Sequence, residues 1–181
     1  VPKRIALPAV DVNFDKAAAD PWKWRSVALS LLFAADALWN RVRRALTELD
    51  KVGRSKLSDT SDIGLRLRGP FFLLAGLAVE NFLKAIIVKR LLAGGKPVTE
   101  ADVLVIFRGK HDLTVLSQRA DVKLTPAERE LLERLSTFVN WAGRYPVPIK
   151  KVNAQKSRVT RSDDFGRVSL FMGRLESEFK K

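Results

Sequence analysis

Residues 70–93 read PFFLLAGLAVENFLKAIIVKRLLA, and no other stretch restricts the fold as much. Pro70 suits the first position of a helix and Gly94-Gly95 suits its end. The first half of the segment is apolar on almost every side. A helix without a polar face must be enclosed by other protein. The rest of the chain therefore has to provide helices with one apolar face each. The run does not read as membrane-spanning, because its most apolar part, 71–79, is short and Glu80, Asn81 and Lys84 follow at once.

Those enclosing helices can be read from spacing. Asp20-Pro21 is a capping side chain followed by proline, and starts a helix over about 21–51. Trp24, Ala28, Leu31, Ala35, Leu38, Val42, Ala45 and Leu49 recur at steps of four and three along it. Residues 52–68 are expected to be a polar loop carrying Arg54, Lys56, Arg66 and Arg68. Thr99 to Asp102 can cap a short helix ending near Phe107; the β-prone VLVIF at 103–107 is assigned to it by its length and capped start. Another short helix should run from Asp112 to about Ala120. Thr125-Pro126-Ala127-Glu128 has the form of a capping box, and Leu131, Leu135, Phe138 and Ala142 form the stripe that follows. Ser162 and two aspartates open a last helix with a seam of Phe165, Val168, Met172, Leu175 and Phe179. The expected fold is all-α: an up-and-down bundle of four main helices plus one or two short ones, with residues 1–19 an arm and 20–181 one domain.

Composition narrows the chemistry. The 181 residues, 46% of them apolar, suffice for one core. With no cysteine and one histidine, a disulfide scaffold, a thiolate zinc site, a cysteine nucleophile and a multi-histidine metal site are excluded. No phosphate-loop, dinucleotide or nucleophile-elbow motif occurs, so neither metal nor cofactor is expected. The lack of cysteine fits a reducing cytoplasm, and the N-terminal residues lack the apolar core of a signal peptide. The net charge of +13 points to a polyanionic partner, RNA or nucleotide, or else to an acidic protein. Between Glu133 and Asp163 there is no acidic residue, while Arg134, Arg144, Lys150, Lys151, Lys156, Arg158 and Arg161 fall there.

Four places can carry function. The only histidine, His111, stands in RGKHDL at 108–113. Its imidazole can exchange a proton near neutral pH while Arg108 and Lys110 attract a phosphate; alternatively it is a turn residue before a helix capped by Asp112. Glu80 and Lys84 stand four apart, and read either as an internal ion pair or as a polar groove floor holding Arg144. Arg144-Tyr145 offers a guanidinium fork for phosphate and a ring for stacking, or a packed bundle end. The connection from Lys150 and Lys151 to Arg158 has no interleaved aromatics and can grip phosphate without reading bases, or stay solvated. The four tryptophans, Trp22, Trp24, Trp39 and Trp141, read as core or interface anchors.

Three stretches in order, GLAVENFLKA at 76–85, KHDLTVLSQRA at 110–120 and WAGRYPVP at 141–148, resemble the HEPN family, the higher eukaryotes and prokaryotes nucleotide-binding domain. The resemblance spans about residues 22–180. It implies a four- or five-helix bundle, homodimerisation, and either a metal-independent ribonuclease of toxin–antitoxin and phage-defence systems or a non-catalytic RNA- or nucleotide-binding module, often beside a nucleotidyltransferase or antitoxin. The ribonuclease members carry an arginine followed after four to six residues by histidine. This chain departs from that pattern: after Arg144 the corresponding positions are Ile149, Lys150 and Lys151, and Arg108 precedes His111 by only three. The resemblance thus implies a module that contacts RNA or nucleotide without efficient cleavage. His111 and Arg144 remain its catalytic candidates. Arg108, Lys110, Tyr145, Lys150, Lys151 and Arg158 are ligand contacts, and Glu80, Lys84 and Asp112 structural polar residues. The alternatives are a divergent ribonuclease using His111 and Arg144, and a scaffold for an acidic partner.

Overall fold

The computed structural model describes residues 17–53, 56, 58–95, 102, 111–142 and 161–181, except the side chain of Trp141. Six α-helical segments lie among these residues: α1 Pro21–Val52, α2 Asp59–Arg66, α3 Arg68–Ala93, α4 Leu113–Arg119, α5 Pro126–Thr137 and α6 Asp164–Lys180. A π-helical turn, Phe138–Ala142, continues α5, and no strand occurs among the described residues. The chain is an all-α helical bundle. The segment 103–107, assigned above to a short helix, lies outside the described residues.

The caps of α1 and α5 act where the sequence suggests, whereas α3 starts at Arg68, two residues before Pro70, and neither α3 nor α6 has a side-chain cap. The Asp20 carboxylate accepts from Trp22 N at 2.9 Å and Pro21 takes the first position of α1. Thr125 and Glu128 close a reciprocal box at the start of α5, with Thr125 N donating to Glu128 Oε2 at 2.8 Å. Residues 17–19, assigned to the arm, instead include a helical turn in which Ala18 is buried and its carbonyl accepts from Trp24 Nε1 at 2.9 Å.

The central position of α3 follows from its composition. Fourteen of its residues are buried, spread around the whole helix. By length and hydropathy it is the one described helix that could cross a membrane, but 78% of its apolar window is buried within the protein. Trp39 of α1 packs on Phe71 at 4.8 Å between ring centroids, and Trp24 lies by Lys84, so α1 runs antiparallel to α3. Phe165 and Phe179 of α6 meet Phe71 and Phe82, which sets α6 parallel to α3. Pairs Glu128–Arg174 and Arg134–Asp164 join α5 and α6 in antiparallel order. The four long elements thus alternate in direction, as expected of an up-and-down bundle.

Two glycines allow close helix approach. A Cβ on Gly76 would collide with Val139 Cγ2 and lie 3.3 Å from the Leu135 carbonyl oxygen, so α5 rests directly on the α3 backbone. Gly64 sits similarly against Ala45 and the Arg41 carbonyl of α1. Gly64 belongs to α2, a helix in the stretch expected to be loop. Ser58 caps it, and Glu48 of α1 holds the cap by accepting from Ser58 N at 3.0 Å and from the Ser61 hydroxyl. These bonds hold the Glu48 carboxyl below its usual value, the Ser61 hydroxyl contributing most.

Candidate functional site

Asp112 fixes the start of α4. Its Oδ1 accepts from the backbone N–H of Thr114 at 3.0 Å and of Val115 at 3.2 Å, and from the Thr114 hydroxyl at 2.7 Å. The capping expectation for this residue is met. The turn before it is tied to the end of α5. Leu113 N donates to Ser136 Oγ at 3.0 Å, and Asn140 Nδ2 donates to the Ser136 carbonyl at 2.9 Å and reaches the His111 carbonyl at 3.5 Å. His111 itself has φ +41°, in the left-handed region that costs a side-chain-bearing residue about 1–2 kcal/mol. The bonds on either side supply the constraint that keeps it there.

That turn points the imidazole at the middle of α3. His111 Nδ1 lies 2.9 Å from Glu80 Oε2, and Lys84 Nζ donates to Glu80 Oε1 at 2.6 Å. One carboxylate therefore serves two cationic or potentially cationic groups. Glu80 and Lys84 are 3% and 6% exposed, whereas the His111 side chain is 39% exposed. Lys84 also sits over the Trp24 ring, 5.4 Å from its centroid. The chemical consequence concerns the ring's other nitrogen. A carboxylate only accepts, so Nδ1 carries a hydrogen. In the neutral imidazole the lone pair is then on Nε2, for which the described residues offer no partner. A half-exposed imidazole, oriented by a buried carboxylate with its basic nitrogen unclaimed, can accept a proton or, once protonated, bind a phosphate oxygen.

The internal ion pair Glu80–Lys84 is present as read from the sequence. What the sequence reading missed is that His111 shares Glu80. The two are 31 residues apart, and only the packing of the α4 start against α3 and α5 brings them together. The one available signal was an acid on an otherwise apolar helix face, which needs partners. His111 is indeed a turn residue before a capped helix, yet its ring is neither buried nor engaged with the backbone at the helix start. Arg108, Lys110, Arg144, Tyr145, Lys150, Lys151 and Arg158 lie outside the described residues.

Two cations of the acid-free interval have internal work. Arg134, 7% exposed, pairs with the fully buried Asp164 and stacks over Phe72 at 5.1 Å. Among the described residues its Nε and Nη1 have no hydrogen-bond partner. Arg161 Nη2 pairs with Glu130 at 2.9 Å, and Arg167 joins them at 3.3 Å. Burial pushes the Glu130 carboxyl up, but Arg161 and Arg167 together hold it below its usual value. Of the tryptophans, Trp39 is a core anchor and Trp24 is partly buried, whereas Trp22 is 61% exposed. Among the described residues no three metal-ligating side chains come together. Comparison of the chain with protein-family models, with curated proteins and with solved structures finds no match to any of them.

Proposed function

We propose that the chain is a HEPN-like helical module that contacts RNA or nucleotide through a cationic face centred on His111, and that it does not cleave RNA efficiently. One observation carries the reading. The imidazole on Glu80 is flanked by two acid-free cationic segments, and the described ends of those segments meet at one corner. Segment 103–110 holds Arg108 and Lys110 and leads into His111; segment 143–160 holds Arg144, Lys150, Lys151, Lys156 and Arg158 and leaves from Ala142. Asn140 bonds toward the His111 carbonyl, so both segments are attached within a few residues of each other. Lys110 adjoins His111, and Arg144 follows Ala142 by two residues, a span of at most ~7 Å along the chain. A ligand phosphate meeting this corner would find the imidazole there, and Arg144 and Tyr145, which follow Ala142 and Gly143 in the chain, are the guanidinium and ring we propose to join it. The resemblance adds a toxin–antitoxin or defence setting, a homodimer, and a nucleotidyltransferase or antitoxin partner.

Inefficient cleavage follows from the inventory. Metal-independent cleavage needs a base for the 2′-hydroxyl and an acid for the leaving 5′-oxygen, and the arginine–histidine pair that the ribonuclease members carry is missing, with Ile149, Lys150 and Lys151 at the corresponding positions after Arg144. Purified protein should bind a labelled single-stranded RNA with an affinity that falls steeply between about 50 and 200 mM salt, and should leave that RNA intact. His111→Ala and Arg144→Gln should each weaken binding. Absence of binding at moderate salt would favour the scaffold for an acidic partner.

The Glu80–His111 geometry favours a second reading, a divergent ribonuclease. In it Nε2 takes the 2′-hydroxyl proton, the 2′-oxygen attacks phosphorus, the 5′-oxygen leaves with a proton from water, and Arg144 steadies the phosphate. Glu80 is then a positioning residue. Turnover lost in His111→Ala, and reduced with an altered pH profile in Glu80→Gln, would establish it.

A further inference from the structure

Most of the outer face of α1 is not used by the bundle; at its start the Trp22 ring meets Phe179 of α6 edge-on, 4.9 Å between centroids, and leaves the rest of its surface to solvent. Trp22, Leu29, Phe33, Asn40, Arg44, Thr47 and Lys51 follow one another at steps of seven, four, seven, four, three and four, which puts them on a single face. The opposite face holds Ala28, Ala35, Trp39, Val42 and Ala45 and faces the core. Along the outer face the chemistry changes once. Its first half is aromatic and apolar, with Trp22 61% and Phe33 78% exposed. Its second half is cationic: a cavity of about 310 Å³ is lined, among the described residues, by Arg43, Arg44 and Thr47. The Thr47 hydroxyl donates to the Arg43 carbonyl at 3.0 Å, so the donors offered to that cavity are the guanidinia. Among the described residues neither guanidinium meets a carboxylate. Asp36 stands between the two halves, Asp50 stands beyond Thr47, and neither pairs with them. Glu48, the nearest acid in sequence, is turned away onto Ser58 and Ser61.

We infer that this face is a second contact surface for single-stranded nucleic acid, with bases stacking on Phe33 and Trp22 and the backbone phosphates held at Arg43 and Arg44. The inference extends the proposed function, since it names the strand state of the ligand and a separate surface for it. Exposed rings offer a π-face to any base, and unpaired guanidinia attract phosphate without reading sequence. The two halves are about ten residues apart along α1, or roughly 15 Å, a span that needs a strand of several nucleotides rather than a free nucleotide. The positive net charge favours a polyanion over a second copy of the chain, which would bring its own arginines to the same face.

The test uses the whole protein and a 5′-labelled 20-nucleotide RNA of mixed sequence, single-stranded or annealed to its complement, followed by fluorescence anisotropy. Phe33→Ser should weaken single-strand binding by tenfold or more, the range of one lost stack, and affect the duplex far less. Arg43→Gln with Arg44→Gln should reduce the slope of log affinity against log salt by about 1.4, at roughly 0.7 per phosphate contact on a single strand. These positions are exposed, so circular dichroism should be unchanged. If both variants bind like the parent, the inference is overturned. It is overturned too if Phe33→Ser instead converts a dimer to a monomer in light scattering with RNA affinity unchanged. A loss confined to His111→Ala leaves the proposed site standing without this surface. A loss confined to the α1 variants leaves this surface standing without the proposed site.

Discussion

Glu80 is the residue on which the polar centre turns. It is buried, and both of its oxygens are engaged, one by Lys84 and one by His111. Removing it takes the buried carboxylate away from the Lys84 ammonium, which stays in the core over the Trp24 ring. Glu80→Leu should therefore destabilise by about 3–5 kcal/mol, the usual cost of breaking a buried pair from one side. Glu80→Leu with Lys84→Met removes both charges at similar volume and should recover most of that loss in urea titrations. A double variant as unstable as the single one would show that the pair is not what Glu80 provides. The imidazole gives an independent readout. Long-range nitrogen-15 correlations should find neutral His111 as the Nδ1–H tautomer in the parent, and a mixture of tautomers once Glu80 is replaced.

Helix contacts make sharper demands than helix propensities here. Gly76→Ala is favoured by propensity by about 1 kcal/mol, yet its methyl would press on Val139 and the Leu135 carbonyl. Overpacking should prevail, with a net loss of about 1–2 kcal/mol in the unfolding free energy and α5 as the displaced element. Thr125→Ala opens the capping box and should cost about 1 kcal/mol, read from the same titration. These elements show what the chain reveals before folding. Apolar content identifies α3, which is buried all round, and apolar spacing identifies α1, α5 and α6, because each needs only its own residues to declare how it must be enclosed. The helix α2 was hidden because DTSDIGLR has the composition of a loop and takes its support from Glu48, ten residues before its cap. The π turn after Thr137 was hidden because it depends on how Phe138 stacks on Phe72 and Val139 meets Gly76. At the candidate site, Asp112 as a cap and Glu80–Lys84 as a pair are local facts and were legible. The contact of His111 with Glu80 joins two helices and a strained turn, which no spacing rule encodes.

At the scale of the whole molecule the charge is what an outside partner meets first, and carboxylates paired at the surface set the direction in which pH moves stability. The carboxyls of Glu48, Glu130, Glu176 and Glu178 are all held below their usual value of 4.5, Glu176 chiefly by Arg25 and Glu178 chiefly by Lys181. In the unfolded chain they regain ordinary affinity for protons. The stabilisation they provide is thus complete above the ordinary carboxylate range and declines as pH falls through their lower folded values. The urea midpoint should be flat from pH 7 to about 5 and drop below that; a midpoint that rises on acidification would refute the assignment. The central claim is that the corner built around His111 is where RNA is met, and a single histidine makes it directly observable. In protein labelled with carbon-13 at histidine, the lone imidazole Cε1–H resonance should move saturably on titration with single-stranded RNA at 50 mM salt and return as salt is raised. A resonance that stays fixed while the RNA is demonstrably bound would contradict it.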